Sequence, residues 1–428
     1  NRVRHQLVTA PRGRILDRYG QELAISATRF FLEKDNKLTE IGQKQIGDLE
    51  KQGLAGKNFS GELGRVRQEV VRVYPNSLQF AHVLGYVSPV QEEDQQRDKN
   101  LSNLDNVGRL GIEAAYDEVL RGENGAVIVE VNANNQVISI LGQKEAVGGQ
   151  DIKLTIDAQL QRKLFGVLSA QIKKVNSNAG AAIISDVASG EILAMVSYPS
   201  FDPENVGQAV VSDEQPLFNR AIAGTYPPGS VFKPVSAVAG LVSGKINMDT
   251  EIEDVGEFSI GEFKFGNWYF LNYGGRDGFL KIDRAIARSN DIFFYRLGEV
   301  VGQKVLRQTA IKFGFGQKTG VDLPGESSGL VPDEVWKESA YGQRWFLGDT
   351  MHMAIGQGFV TSTPVQVNNM TSAIANGGKL TRPHLVSKVA KNDLSEILVS
   401  ASGAKIVVDR KIISIVGEGM RMACEKGG

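Results

Sequence analysis

One stretch of nine residues ends a segment, starts a helix and carries two reactive groups. It reads Tyr-Pro-Pro-Gly-Ser-Val-Phe-Lys-Pro at residues 226–234, and a run rich in Ala and Val follows it as far as Leu241. Pro and Gly interrupt regular structure, Ser is favoured where a helix starts, and Pro in the first helical turn loses no hydrogen bond. The stretch therefore predicts a turn followed by a buried helix that begins near Ser230.

Ser230 and Lys233 are three residues apart, so on such a helix they share a face. The helix start favours an alkoxide on Ser230, and burial disfavours the charged form of Lys233. The spacing therefore predicts a serine nucleophile with a lysine base. The pattern is short enough to arise by chance, and 402–405 (Ser-Gly-Ala-Lys) also fits it. On this pattern alone, an ordinary helix start remains an open alternative.

Composition excludes several classes of function. The 428 residues suffice for two or three domains, and 48 basic residues balance 49 acidic ones, which gives no global field that favours nucleic acid. Four scattered histidines form no metal-ligand pattern, so we expect neither a metal nor an organic cofactor. The single Cys424 excludes an internal disulfide, and no apolar run reaches the length of a bilayer span.

The pattern of residues changes near residue 150. Residues 1–150 read as a strand-rich scaffold without a convergent polar cluster, with a surface helix over 38–56. The remainder reads as a sheet flanked by helices, an α+β arrangement. Its predicted elements are a strand at 151–156, a helix capped by Asp157, paired strands at 181–186 and 191–196, and helices at 281–301, 303–313 and 364–376.

Ser289, Asn290 and Asp291 form a second candidate site, because they precede the apolar run Ile292-Phe293-Phe294-Tyr295. Ser289 can relay a proton between Lys233 and a leaving group, and the next two side chains can orient the lysine or a substrate. The alternative is a polar interruption of the core that is satisfied by its neighbours.

An ordered series of short motifs runs along the chain: Pro11-Arg12-Gly13 through Asp17-Arg18-Tyr19-Gly20, Tyr74-Pro75 with 81–87, Gly111-Ile112-Glu113 through Gly122, 154–157 with Leu160-Gln161, 227–234, 313–326, and Gly356-Gln357-Gly358 with Thr361-Ser362-Thr363-Pro364. In this order they resemble the class B penicillin-binding proteins, and the elongation type within that family. The resemblance covers nearly the whole chain, and the ordered set is far more specific than any single motif.

This resemblance implies a penicillin-binding transpeptidase domain at 151–428, without its last strands, behind an extended strand-rich pedestal at 1–150. It implies that Ser230 is the acylated nucleophile, Lys233 its base and Ser289 the hydroxyl of the second motif, with Asp291 in that motif's third position. The substrate-binding residues it implies are Asn290, Gly356, Gln357 and Gly358.

The function it implies is a serine D,D-transpeptidase that cross-links peptidoglycan stem peptides ending in D-Ala-D-Ala during cell elongation and is inhibited by β-lactams. Through the pedestal we expect contacts with a SEDS-family glycan polymerase and regulators of elongation. We also expect a membrane anchor upstream of this chain, with the catalytic domain on the periplasmic side of the inner membrane.

One departure from the family pattern concerns its third motif, Lys-Ser/Thr-Gly, which lies on a strand beside the nucleophile. Lys318-Thr319-Gly320 matches this motif in sequence, but we interpret it as a chance match and expect the true motif to follow residue 428. Two alternatives therefore stay open. They are a hydrolase of the same chemistry, either a D,D-carboxypeptidase or a β-lactamase, and a non-catalytic relative that binds partners.

Overall fold

A computed structural model describes residues 2–34, 37–42, 44–45, 65–75, 77–132, 137–390, 396–398 and 405–425. Contacts divide the chain into two compact units. The first unit contains Asn1–Gln159, Ser200–Leu217 and Val386–Val399, and the second contains Leu160–Pro199, Phe218–Leu385 and Ser400–Gly428. The functional boundary at residue 150 stays a prediction.

The described strands and helices follow one another in chain order. The strands are β1 (Arg2–Val8), β2 (Ile15–Leu16), β3 (Glu22–Lys34), β4 (Lys37–Ile41), β5 (Arg65–Val73), β6 (Val87–Pro89), β7 (Asn106–Gly108), β8 (Gly125–Val131), β9 (Val137–Lys144), β10 (Ile152–Leu154), β11 (Gly180–Ser185), β12 (Ile192–Tyr198), β13 (Ile252–Asp254), β14 (Glu257–Ile260), β15 (Phe263–Gly266), β16 (Gly278–Leu280), β17 (Lys379–Leu380), β18 (Val386–Ala390), β19 (Glu396–Leu398) and β20 (Lys405–Ile406). The helices are α1 (Ser77–Leu84), α2 (Glu92–Arg97), α3 (Gly111–Ala115), α4 (Asp117–Arg121), α5 (Ala158–Lys174), α6 (Gly207–Val210), α7 (Lys233–Val242), α8 (Trp268–Tyr273), α9 (Ile282–Ala287), α10 (Asp291–Val301), α11 (Gln303–Lys312), α12 (Glu334–Tyr341), α13 (Leu347–Ala354), α14 (Pro364–Ala375) and α15 (Arg410–Met422).

Two sheets dominate the first unit. One has the strand order β1-β8-β9, and the other has the order β19-β18-β10-β2-β3-β4, with β5 also paired to β3. The strand-rich character predicted for this part of the chain is confirmed. The helix predicted over 38–56 is wrong in its first residues, because Lys37–Ile41 pairs as β4 with the long strand β3. Residues 46–56 lie outside the described ranges.

A buried ionic cluster holds the first unit together, which corrects the expectation that this part lacks a convergent polar cluster. Glu113 is fully buried and accepts hydrogen bonds from Arg12 at 2.9 Å and Arg72 at 2.7 Å. Arg12 also pairs with Asp117 at 2.9 Å. Arg12 and Arg72 are 101 and 41 residues from Glu113 in sequence, so no local spacing predicts the cluster. Two guanidinium groups face two carboxylates, an arrangement that suits a scaffold.

Helix α7 lies in the core of the second unit. Every residue from Lys233 to Gly240 is buried, and the helix packs against α9, α10, α11 and α15. Its small side chains, mostly Ala, Val and Gly, let these neighbours approach closely.

Two further sequence predictions for the second part of the chain are confirmed. Strands β11 and β12 pair antiparallel, from Gly180 opposite Tyr198 to Ser185 opposite Ile192. The carboxylate of Asp157 accepts a hydrogen bond from the backbone N–H of Gln159 at 2.9 Å, as expected of a residue that caps helix α5.

Candidate active site

The segment before α7 is a 3₁₀ turn over Gly229–Phe232, and the α-helix itself begins at Lys233. The predicted turn and helix are therefore present, with one tight turn between Ser230 and the regular helix. Pro234 occupies the first helical turn, where its missing N–H leaves no hydrogen bond unmade. Backbone bonds between Tyr226 and Ser362, at 2.9 and 2.8 Å, hold the preceding segment in place.

Gly356 lies directly against this turn. Its carbonyl accepts the N–H of Gly229 at 2.8 Å, and its φ of 70° lies in the left-handed region. A Cβ atom at Gly356 would lie 2.3 Å from the Gly229 carbonyl oxygen, so only glycine permits this approach. Gln357 and Gly358 follow it at the surface. The structure thus brings the predicted 356–358 segment beside the Ser230 turn, and its contacts with substrate stay predictions.

Lys233 is almost completely buried, at 1% exposure, and uses all three of its ammonium donors. Its Nζ donates to the carbonyl oxygen of Ser289 at 2.7 Å, to the Ser289 Oγ at 3.1 Å and to the Asp291 Oδ1 at 2.7 Å. Burial lowers the pKa of Lys233 and outweighs the opposing effect of the Asp291 carboxylate. A lowered pKa increases the fraction of neutral amine, the form that can accept a proton.

Ser289 interrupts the chain between two helices. The sequence predicts one helix over 281–301, and this is wrong, because α9 ends at Ala287 and α10 starts at Asp291. Ser289 has a φ of 49°, a left-handed conformation that is uncommon for serine. The break turns both the hydroxyl and the carbonyl of Ser289 towards Lys233, which a continuous helix would not allow.

Asn290 is fully buried and caps α10 through its side chain. Its Oδ1 accepts the N–H of Phe293 at 2.9 Å, and its Nδ2 donates to Asp254 at 3.0 Å and to Asp277 at 3.1 Å. These bonds occupy the amide within the protein and give it a positioning role. Its contact with substrate stays a prediction.

Asp291 joins Lys233 to the segment before α8. While Oδ1 accepts from Lys233, Oδ2 accepts the backbone N–H of Trp268 at 3.2 Å. The Asp291 backbone N–H donates to Oδ1 of Asn267 at 3.2 Å. One turn further along α10, burial and the negative charge of Asp291 raise the pKa of Tyr295 to about 12.

The Ser230 side chain is exposed, and its hydroxyl makes no hydrogen bond with any residue that the structure describes. Ser230 and Lys233, which the sequence predicts to share a helix face, therefore make no direct hydrogen bond in this arrangement, since Lys233 points its three protons at Ser289 and Asp291. The exposed hydroxyl can be reached by a substrate, and Lys233 and Ser289 are joined by a hydrogen bond along which a proton can move. An accessible serine on a tight turn before a buried lysine is the arrangement that a serine–lysine active site requires, and the catalytic roles of these residues stay predictions.

Sequence reasoning missed a set of polar residues behind this site. Asp254, Asn267 and Asp277 lie in a region of short strands and one short helix, and no motif or spacing marks them. The one available signal was the need of any buried polar group for partners.

Lys318, Thr319 and Gly320 lie in a loop, outside any described strand. Glu326 accepts hydrogen bonds from both the hydroxyl and the N–H of Thr319, each at 2.6 Å, and from the N–H of Gly320 at 3.0 Å. These bonds account for the residues locally and support the interpretation of this triplet as a chance match.

In the described ranges, no three His, Cys, Asp or Glu side chains are grouped so as to hold a metal ion. Every helix within the same ranges is too short or too polar to cross a bilayer.

Comparison with known proteins assigns the chain to a family. Residues 180–428 match the penicillin binding protein transpeptidase domain, and residues 36–154 match the penicillin-binding protein dimerisation domain. The first match alone spans more than half of the 428 residues. The chain belongs to the penicillin-binding protein transpeptidase family.

Two curated relatives with the same name are similar to this chain. The peptidoglycan D,D-transpeptidase MrdA of Acinetobacter baumannii is 36% identical over 75% of this chain and 48% of its own length. The protein of the same name from Haemophilus influenzae is 31% identical over 91% of this chain and 66% of its own length. The chain thus spans about half to two thirds of the curated relatives it matches.

Solved structures agree with this likeness. Penicillin-binding protein PBP2 from Helicobacter pylori, in a complex with MreC, is similar over 100% of this chain and 85% of that one, with a TM-score of 0.79 and 28% identity. A chain from a peptidoglycan synthase complex that coordinates polymerization and crosslinking is similar over 99% of this chain and 78% of that one, with a TM-score of 0.82 and 27% identity.

Proposed function

We propose that this chain is the catalytic part of a serine D,D-transpeptidase that cross-links peptidoglycan stem peptides during cell elongation. The observation that carries the proposal is an exposed Ser230 on the turn that leads directly into a buried Lys233 of lowered pKa, which is hydrogen-bonded to Ser289. Membership of the transpeptidase family and the likeness to proteins named peptidoglycan D,D-transpeptidase support it.

In the acylation step, Oγ of Ser230 forms a bond to the carbonyl carbon of the penultimate D-alanine, and the amide bond to the terminal D-alanine breaks. The neutral amine of Lys233 accepts the hydroxyl proton. Lys233 passes this proton to Ser289, whose Oγ lies 3.1 Å from Nζ, while Ser289 gives its own hydroxyl proton to the departing amine. The product is an ester on Ser230, with D-alanine released.

In the second step, an amine of a neighbouring stem peptide attacks the ester carbonyl and forms the cross-link as Ser230 leaves. The proton path runs in reverse, so Lys233 takes the proton of the incoming amine and returns one to Ser230. β-Lactams resemble the D-Ala-D-Ala terminus and acylate the same serine. Asn290, Gly356, Gln357 and Gly358 are the residues we propose for the substrate-binding side of the site.

The proposal extends to partners and location. The solved relatives include PBP2 bound to MreC and a chain of a peptidoglycan synthase complex. By that likeness we propose that the N-terminal pedestal contacts a SEDS-family glycan polymerase and regulators of elongation. Because the proposed substrate lies outside the cytoplasm, we propose that the catalytic domain lies on the periplasmic side of the inner membrane, held there by an anchor.

The test is a reaction of the full-length protein with a stem pentapeptide ending in D-Ala-D-Ala and an excess of an amine acceptor. We expect release of D-alanine together with the acceptor-linked product, both detected by mass spectrometry, and loss of both in Ser230→Ala. Release of D-alanine without the linked product would favour a carboxypeptidase. Product formation that survives Ser230→Ala would refute the proposed nucleophile.

A further inference from the structure

A buried carboxylate that the reaction steps above do not use lies behind the Ser289–Asp291 segment. Asp254, the last residue of β13, is 2% exposed. Among the described residues, no lysine, arginine or histidine forms an ion pair with it. A buried charge without a cation is unfavourable, so the hydrogen bonds of Asp254 must stabilise it and indicate what it holds.

Four hydrogen bonds converge on this carboxylate, all from neutral donors. Oδ1 accepts the N–H of Gly256 at 2.8 Å. Oδ2 accepts the side-chain amides of Asn267 at 2.9 Å and Asn290 at 3.0 Å. It also accepts the backbone N–H of Asp277 at 2.9 Å. Asp254 therefore ties together three segments that are separate in sequence.

Two of these segments, those of Asn267 and Asp277, form hydrogen bonds with Asp291 and Arg288, respectively. The Oδ1 of Asn267 accepts the backbone N–H of Asp291 at 3.2 Å. The carboxylate of Asp277 pairs with Nε of Arg288 at 3.0 Å. The third donor, Asn290, stands between Ser289 and Asp291 in the chain. Arg288, before Ser289, is linked to Asp254 through Asp277. After Ser289, Asn290 is bound to Asp254 directly, and Asp291 is linked to it through Asn267.

This anchoring can hold the backbone of Ser289 in its left-handed conformation. Its φ of 49° is a conformation that persists in a serine only where the surroundings enforce it. The Ser289 backbone is also what presents both an oxygen acceptor and a hydroxyl to Lys233. If the flanking residues relaxed, Ser289 would return towards an ordinary conformation and Lys233 would lose two of its three partners.

We propose that Asp254 is a positioning residue for the active site. It holds Ser289 in its left-handed conformation and Asp291 against Lys233, through Asn267, Asp277 and Asn290. The inference rests on the proposed function for its effect on rate, and on the hydrogen bonds alone for its effect on conformation.

The first test compares Asp254→Asn with Asp249→Asn in the full-length protein. The two changes are chemically identical, but the Asp249 side chain is 89% exposed and lies outside the site. The measurement is the rate of acylation by a fluorescent penicillin under single-turnover conditions. We expect Asp254→Asn to be slower by about 10- to 100-fold, the scale of a small misplacement of reacting groups, and Asp249→Asn to stay within about twofold.

The second test asks whether Asp254 acts through the site. In a background of Ser289→Ala or Asp291→Asn, we expect the added Asp254→Asn change to slow acylation by about threefold or less in at least one of the two, because residues that act as a unit are not additive. A full effect in both backgrounds would overturn the proposal, as would wild-type acylation by a folded Asp254→Asn protein.

Two further measurements separate folding and function from positioning. If Asp254→Asn does not fold, Asp277→Asn, whose side chain is 11% exposed, replaces it and must show the same direction of change. If the wild-type protein is not acylated at all, the proposed function fails, and hydrogen exchange at the amides of residues 290 and 291 still decides on positioning. Faster exchange in Asp254→Asn than in Asp249→Asn supports it, and equal exchange overturns it.

Discussion

Two buried lysine–aspartate ion pairs in the second unit have similar N–O distances and similar side-chain exposures. Lys233 pairs with Asp291 at 2.7 Å with side-chain exposures of 2% and 16%, and Lys337 pairs with Asp349 at 2.5 Å with exposures of 4% and 16%. Only the first has a strained serine beside it and an exposed serine on the preceding turn. Burial and an ion pair are therefore insufficient to identify a catalytic lysine.

The second pair has neighbours suited to a structural role. Nζ of Lys337 lies 4.7 Å from the centre of the Phe346 ring and 5.5 Å from that of Phe359. Asp349 accepts the N–H of Phe346 at 2.7 Å and so caps the start of α13. Lys337 thus lies against two aromatic rings and a carboxylate that caps a helix. Lys233 lies 5.7 Å from the centre of one ring, that of Phe294, and burial lowers its pKa. From this comparison we propose proton transfer for the Lys233–Asp291 pair and helix anchoring for the Lys337–Asp349 pair.

The largest effect we expect comes from replacing each lysine by arginine. Lys233→Arg keeps the charge but removes a base that can be neutral, and it should slow acylation by penicillin about 10³-fold or more. Lys337→Arg should leave the folded protein within about threefold of the wild-type rate. Equal losses in both variants would remove the distinction between the pairs.

Gly356→Ala should have the next largest effect. The new Cβ would lie 2.3 Å from the Gly229 carbonyl oxygen and must displace the turn that carries Ser230, so we expect acylation to slow about 10²-fold. Gly348→Ala is the matched control, because its Cβ would meet nothing nearer than the Phe265 ring at 3.5 Å. Unchanged acylation in Gly356→Ala, measured beside this control, would show that the turn need not be held there.

Asp291→Asn should change the pH dependence more than the maximal rate. If neutral Lys233 is the base, acylation rises with pH through the pKa of Lys233. The Asp291 carboxylate raises that pKa, so its removal should move the acidic limb of the rate profile to lower pH. A limb that stays in place or moves to higher pH would contradict the role of Lys233.

Asp349→Asn should affect stability and leave the acylation rate of the folded protein unchanged. It removes the partner of a buried cation, which costs about 3 kcal/mol in comparable cases. Chemical denaturation should show the loss of unfolding free energy. An acylation rate that falls together with stability would give this pair a part in the site.

Local features of the sequence predict much of this architecture. The Pro-Pro-Gly breaker and the apolar run predict the turn and α7, and two apolar segments around a turn at 188–190 predict the β11–β12 pair, because both depend on neighbours in sequence. The structure also brings Lys233, Ser289 and Asp291 together, as the family resemblance implies, and the catalytic roles of these residues stay predictions.

Other features depend on contacts between distant residues. The apolar run from Ile292 masks the helix break at Ser289, since a left-handed serine has no sequence signature. Asp254 lies 36 residues from Asn290, and no spacing rule connects them. The segments 200–217 and 386–399 join the first unit through contacts that local patterns cannot predict.

The most direct measurement of the central claim is peptide mapping by mass spectrometry after the full-length protein reacts with a penicillin. We predict one added penicilloyl group, located on Ser230, with none in Ser230→Ala and normal labelling in Ser402→Ala, which disrupts the other Ser-x-x-Lys sequence. A label on any other residue, or one that persists in Ser230→Ala, would contradict the account.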